Sequence, residues 1–291
     1  MTDGVNKDVG ALYTTESARE YFLALAGSWT DPNPPPRITT HDGIRVVRDD
    51  DLVGSKVRGG DCLISSLPSH IDTIVYVQPR TGLAGVSILD VARRHNKKVK
   101  LFMPSSKRIS HHQACCIEQG ANAEFHRIAA MPNLNLIAKK WADEHSNSFF
   151  VPLGLKHKLV TAGIVKVASA IKEPDEVYVA TSTGVLTRAL QIAWPNAKFI
   201  SVCVSRNMKA GELGAAEPIS EPLQFTTAEK KENLPPFPTI DTYDGKVWKY
   251  IPKNSNKDIL FWNVGKEPVL MDDIIYEKTD SYRDWVKNVV A

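Results

Sequence analysis

Between residues 73 and 204 the chain alternates short, β-branched apolar runs with amphipathic stretches of helical length, and that alternation limits the folds open to it. Strand-like Thr73–Val77 precedes a helical stretch from Val86 to His95, and Val99–Met103 precedes one from Ser110 to Gln119. Ala123–His126, Phe149–Val151 and Glu176–Ala180 are followed by Leu134–Glu144, Val160–Ile171 and Leu186–Ala193, with Phe199–Val204 as a further strand. Parallel neighbours need a crossover of a dozen or more residues, which these helices supply, so each repeat is a βα unit of a parallel sheet. A closed barrel would need eight regular repeats. The expected class is therefore α/β, as two open parallel-sheet lobes with helices on both faces.

The flanks read differently. Residues 14 to 27 form a helical pattern with Thr14 or Thr15 as N-cap, Tyr21, Phe22 and Leu25 on one apolar face, and Gly27 as a stop. Trp29 to Pro36 carries four prolines and cannot be helical; it leads to an extended segment, Ile38 to Val47, folded at His41-Asp42-Gly43. Residues 211 to 240 hold five prolines and read as mostly irregular. Tyr243-Asp244-Gly245-Lys246 reads as a turn, Ile259–Trp262 as the last strand, and a short helix as the end of the chain.

Composition excludes several classes. Hydrophobic residues make up 43% of the 291, yet no apolar run is long enough to cross a bilayer, and Met1–Gly10 is polar rather than a secretory leader. The expectation is a cytoplasmic protein. Cys62, Cys115, Cys116 and Cys203 show no disulfide spacing, so reduced thiols are expected. A net charge of +3 spread along the chain is no nucleic-acid footprint, although it is compatible with an anionic ligand.

Five stretches hold residue types that bear on chemistry. In Asp49-Asp50-Asp51-Leu52-Val53-Gly54-Ser55-Lys56-Val57-Arg58 a Gly-Ser turn presents one lysine at the start of a helix. A lysine kept partly neutral by burial forms a Schiff base with an aldehyde, whereas an exposed one is a solvated charge. Thr181-Ser182-Thr183-Gly184 follows a strand and opens a helix, so its N–H groups and three hydroxyls are either a phosphate cradle or plain helix capping. The turn Pro79 to Gly85 has the same placement and is either a simple βα loop or a site for a substrate carboxylate, with Arg80, Thr81 and Gly82 as its candidates. In His111-His112-Gln113-Ala114-Cys115-Cys116, adjacent ligand types point to different helix faces, and no metal site is expected. Lys156-His157-Lys158 is a solvated loop or a guide for an anionic substrate.

Asp50 to Arg58 resembles the lysine motif of fold-type II (tryptophan synthase β-like) pyridoxal-phosphate enzymes, in the branch of 1-aminocyclopropane-1-carboxylate deaminase and D-cysteine desulfhydrase, where Asp-Asp-Leu precedes Gly-Gly-Asn-Lys-X-Arg. Val151-Pro152-Leu153-Gly154 through Ala162-Gly163-Ile164 resembles that branch's Pro-X-Gly-Gly to Gly-Tyr segment. Val179–Gly184 resembles its phosphate loop, and Ile259 to Gly265 its C-terminal strand. The resemblance implies a large cofactor-binding lobe of residues 1–58 plus 159–291, a small lobe of 59–158, and pyridoxal 5'-phosphate in the cleft between them. It also implies a homodimer.

By the same resemblance Lys56 holds the cofactor as an internal aldimine and later moves a proton on the substrate carbanion, with Thr181, Ser182, Thr183 and Gly184 around the phosphate. Asn263 lies where a group faces the pyridine nitrogen, and Tyr243 where relatives place an active-site tyrosine. The implied function is deamination or elimination on a small amino acid. The chain departs from the pattern at three places. Thr81-Gly82-Leu83 replaces Gln-Ser-Asn, Val185 and Leu186 replace Gly and Thr, and Asn263-Val264-Gly265-Lys266 replaces His-Thr-Gly-Gly. Losing the hydroxyls at Gly82 and Val264 motivates one alternative, a non-catalytic ligand-binding or interaction module, and the mild basic balance a second, a decarboxylase acting on an amino-acid-bearing nucleotide.

Overall fold

A computed structural model describes residues 16–127, 130–206, 208 and 211–271. The expected Thr14 or Thr15 cap and the C-terminal helix lie outside these residues. The chain forms two compact units: one runs to Leu63 and resumes from Lys156 to Glu267, while the other spans Ile64 to Leu155 and takes up again at Pro268.

The first unit is a six-stranded sheet in the order β1-β2-β10-β7-β8-β9. Its strands are β1 (Ile38–His41), β2 (Ile44–Arg48), β7 (Glu176–Thr181), β8 (Lys198–Cys203), β9 (Glu217–Ser220) and β10 (Ile259–Asn263). β1 and β2 pair antiparallel across a two-residue turn in which Asp42 (φ 51°) and Gly43 (φ 78°) are both left-handed, the geometry that matches strand twist in tight hairpins. The other pairings are parallel. β10 is buried along its whole length between β2 and β7, so the last strand in sequence lies inside the sheet rather than at its edge.

Residues 211 to 240 are less irregular than their prolines imply, because β9 pairs with β8 and a 3-10 turn forms at Lys231–Asn233. Pro218 is tolerated in β9 because an edge strand has one side whose N–H groups need no ladder partner. The expected turn at 243–246 opens a buried 3-10 helix, Asp244–Tyr250, whose Val247 and Trp248 pack with Phe237 and Phe261. Its buried face is what overrode the turn reading.

Helices α1 (Glu16–Ala26), α2 (Lys56–Ser65), α6 (Lys158–Ala168) and α7 (Val185–Ala193) flank this sheet. Phe22 and Leu25 of α1 pack on Cys62 and Ala162, but Tyr21, expected on the same face, is 56% exposed. α2 and α6 meet through glycine. A Cβ on Gly59 would lie 2.5 Å from Val160 O, and one on Gly163 would lie 2.8 Å from Cys62 Cβ. Gly59→Ala should therefore lower the urea midpoint: overpacking costs about 1–3 kcal/mol, which outweighs the roughly 1 kcal/mol gained in helix propensity. An unchanged or raised midpoint would remove this packing as the reason for Gly59.

The second unit has a four-stranded, all-parallel sheet in the order β5-β4-β3-β6. These are β3 (Thr73–Val77), β4 (Lys98–Pro104), β5 (Asn122–His126) and β6 (Ser148–Val151), with helices α3 (Ala84–Arg94), α4 (His111–Glu118) and α5 (Met131–Asp143). Val75, Val77 and Phe102 pack on Leu134, Ala138 and Ala142 of α5. Ser110 starts α4 with a reciprocal capping box to Gln113.

Candidate functional site

In open parallel sheets, ligands bind beyond the carboxyl ends of the strands. At or just beyond those of the adjacent strands β2, β10 and β7 lie Lys56, Asn263-Val264 and the 181–184 loop. The register places Asn263 opposite Arg48 at the end of β2, and Phe261 opposite Tyr178 of β7.

Lys56 is the first residue of α2, reached through Gly54, whose φ of +110° is readily adopted only by glycine. Ser55 N donates to Val264 O at 2.8 Å, tying the lysine loop to the end of β10. Desolvation holds the amine below the ordinary lysine value, and the Asp244 carboxyl opposes that shift. The residue keeps some exposed surface, so the shift follows crowding around the amine rather than burial of the whole side chain.

The three aspartates before Lys56 are clamps. Asp49 accepts from Arg58 Nε (3.0 Å) and Nη2 (2.9 Å), and its other oxygen accepts from Trp262 Nε1 at 2.9 Å. Arg58 also reaches Asp31 at 2.6 Å and Pro34 O at 3.0 Å. Asp50 takes a bidentate pair from Arg48 and a bond from Asn263 Nδ2, while Asp51 pairs with Arg37.

Asp244 was not singled out in the sequence. It is fully buried: Oδ1 accepts from Ile240 N and Oδ2 from Val264 N, each at 2.8 Å. Desolvation pushes its carboxyl up to about 7 against the pull of these N–H groups. The apolar pair Val247-Trp248 after Tyr243-Asp244-Gly245 is the signal that marks this segment as core rather than turn, and both side chains are buried.

The raised value predicts a pH dependence. Asp244 binds its proton more tightly when folded, so its contribution is present below about pH 4 and is lost as pH rises towards 7. Lys56, with a lowered value, acts with the opposite sign at higher pH. The difference between wild type and Asp244→Asn therefore reads the carboxyl together with its coupling to Lys56. Between pH 5 and 7 in urea titrations, wild type should lose about 2–3 kcal/mol more than the variant, whose mispaired amide adds only a constant offset. Parallel curves would show that Asp244 is not shifted.

Tyr243 O–H donates to Ala180 O at 3.4 Å and accepts from Ser182 N–H, which fastens it to the 181–184 loop. Burial raises its pKa, and Asp244 adds to this. In the loop, the Thr181 hydroxyl is bound in the core, 2.7 Å from Thr187 Oγ1 and 2.6 Å from Ser201 Oγ. Of the three hydroxyls expected to converge on an anion, those of Ser182 and Thr183 remain. Gly184 is left-handed (φ 74°), and a Cβ there would lie 2.3 Å from Glu212 O.

Asn263 Nδ2 donates to Asp50 Oδ1 (2.8 Å) and Pro238 O (2.9 Å), which fixes the amide orientation. Its buried Oδ1 and the buried hydroxyl of Thr242 have no hydrogen-bond partner among the described residues. Such groups cost about 1–3 kcal/mol each when left unmade, and a donor on a bound molecule would satisfy the Asn263 acceptor.

Arg80, Thr81 and Gly82 lie in the second unit, after β3. There Gln78 braces the turn by donating to Pro79 O and Gly82 O and accepting from Gly85 N. Arg80 is exposed, and its carbonyl accepts from Ser110 Oγ. His157 Nδ1 caps α6 by accepting from Leu159 N, and His111 Nε2 lies 3.8 Å from Cys115 Sγ. No group of three metal-ligating side chains occurs among the described residues.

No family model matches the sequence, and no curated protein matches it. Solved structures do match. An ACC deaminase homologue is 15% identical, with a TM-score of 0.64 over 91% of this chain and 98% of its own. The processed form of threonine deaminase isoform 2 from Solanum lycopersicum is 14% identical, with a TM-score of 0.62 over 95% and 94%. A pyridoxal 5'-phosphate-dependent aspartate racemase is 13% identical, with a TM-score of 0.55 over 82% and 92%. The chain has the fold-type II α/β fold that these proteins share.

Proposed function

We propose that the protein is a pyridoxal-5'-phosphate-dependent enzyme that deaminates a small amino acid or eliminates a group from it, with Lys56 as the residue that attaches the cofactor. The observation that carries this reading is Lys56 itself: an amine at a helix N-terminus, held below its ordinary pKa, beyond strands whose neighbours end at the 181–184 loop and Asn263. The cofactor supplies an electron sink for charge developing at the substrate α-carbon.

The residues present fit that group. Lys56 Nζ would carry the aldehyde carbon and afterwards serve as a base able to move a proton. Ser182, Thr183 and Gly184 would hold the phosphate through hydroxyls and N–H groups. Asn263 Oδ1 or the Asp244 carboxyl would accept from the ring nitrogen, so the hydroxyl missing at Val264 has two buried replacements, one of them held by Val264 N–H. Arg80, Thr81 and Gly82 are the candidates for the substrate carboxylate, and Tyr243 for the substrate side of the loop. Four buried free thiols fit a reducing, cytoplasmic setting, and a homodimer is the expected assembly.

Reconstitution tests the reading. Wild type mixed with pyridoxal 5'-phosphate should gain a visible absorption band, and borohydride reduction should leave a mass adduct on the Lys56 peptide. No band and no adduct would overturn the proposal. A panel of D- and L-amino acids assayed for ammonia, 2-oxo acid and sulfide then separates an enzyme from a binding module, the alternative that Gly82 and Val264 motivate.

A further inference from the structure

The glycine-poor 181–184 loop has an internal brace. Arg188, in the first turns of α7, is 8% exposed, and its side chain folds back towards the helix N-terminus, as helical side chains do. Its Nη1 donates to Glu212 O and lies 3.5 Å from Thr183 O, a distance suited to charge–dipole orientation more than to a strong bond. Nη1 would be 2.6 Å from a Cβ on Gly184, so the guanidinium sits directly against the loop. The Glu212 carboxylate is taken in bidentate fashion by Arg206 at 2.8 and 2.7 Å. Gln191, one turn on, donates to Leu213 O at 2.7 Å and accepts from Ala215 N at 2.8 Å. Arg188 and Gln191 together fasten residues 212–215 to α7.

A trans peptide is planar, with its C=O and N–H antiparallel. A guanidinium that attracts the Thr183 carbonyl therefore turns the Gly184 N–H to the opposite side. That N–H has no hydrogen-bond partner among the described residues. Resting on the cofactor reading above, we infer that Arg188 is the positioning residue of the phosphate loop: it fixes the Thr183–Gly184 peptide so that the Gly184 N–H is presented to a phosphate. It does so with a buried cation, in a loop followed by Val185 in place of a glycine.

The test compares two ligands that differ only in the phosphate. Wild type and Arg188→Gln are titrated with pyridoxal 5'-phosphate and with pyridoxal. The variant should bind the phosphorylated ligand about tenfold or more weakly, as for a lost charge-assisted interaction, and pyridoxal within about twofold of wild type. Equal weakening of both ligands, or of neither, would overturn the inference, the former marking Arg188 as merely structural. Arg188→Lys, which keeps the cation, should fall between the two. A second measurement needs no variant: addition of inorganic phosphate to wild type should shift the Gly184 amide resonance, and an amide that stays put overturns the inference. Wild type that binds neither aldehyde sinks the cofactor reading itself, which separates the two failures.

Discussion

Lys56→Ala should bind pyridoxal 5'-phosphate without gaining the visible band or the borohydride-stable adduct, and its kcat/KM should fall about 10³-fold or more, as when a covalent group is deleted. The fold should survive. The Lys56 amine is desolvated, and desolvation outweighs the help it receives from Asp244, so truncation removes a strained charge rather than a support. A melting temperature equal to or above that of wild type is expected. Lys56→Arg separates charge from chemistry: the guanidinium keeps a cation beside Asp244 but stays protonated and cannot attach an aldehyde, so it should be as inactive as alanine. A band or turnover persisting in either variant would move the anchor to another residue.

Arg58→Met should be the most destabilising single change near the site. Asp49 is fully buried, and Arg58 supplies two of the three bonds it accepts; the third comes from Trp262. Removing the guanidinium leaves a buried carboxylate without its cation, for which breaking a buried pair costs about 3–5 kcal/mol. In urea titrations Arg58→Met should lose that much at neutral pH, and Arg58→Met/Asp49→Asn should recover part of it. No recovery would mean that the loss comes from Asp31, Pro34 and packing instead. Because Asp49 and Arg58 flank Lys56 in sequence and Trp262 lies on the neighbouring strand, the single variant should also bind cofactor more weakly.

Strand and helix alternation was readable because it is local: side-chain period and turn residues report burial a few positions away. It placed the βα repeats, the hairpin, and Lys56 at the head of α2. β9 was missed because its sequence, Glu217-Pro218-Ile219-Ser220, lacks a strand's alternation and forms only against the ready-made edge of β8. Tyr21 shows the converse, since a helical face predicts which side is apolar but not how far the neighbouring helix extends to cover it. In the 181–184 loop the sequence counted three hydroxyls, and only the packing of β7 against α7 and β8 showed that Thr181 turns inward.

The fold class was legible as a repeat of βα length, whereas Lys56 stood out only through the ordered resemblance of its stretch and later segments to one enzyme family, since the Gly-Ser turn alone leaves open a solvated surface charge. What surrounds that lysine emerges only on folding. Asp244 reaches the site through a bond to Val264, Asp49 is bound by Trp262 from 213 residues away, and Arg188 meets Glu212 across 24 residues. Charge pairing, pKa and peptide orientation all depend on which groups exclude water together. Strands distant in sequence settle that only when β10 enters the middle of the sheet.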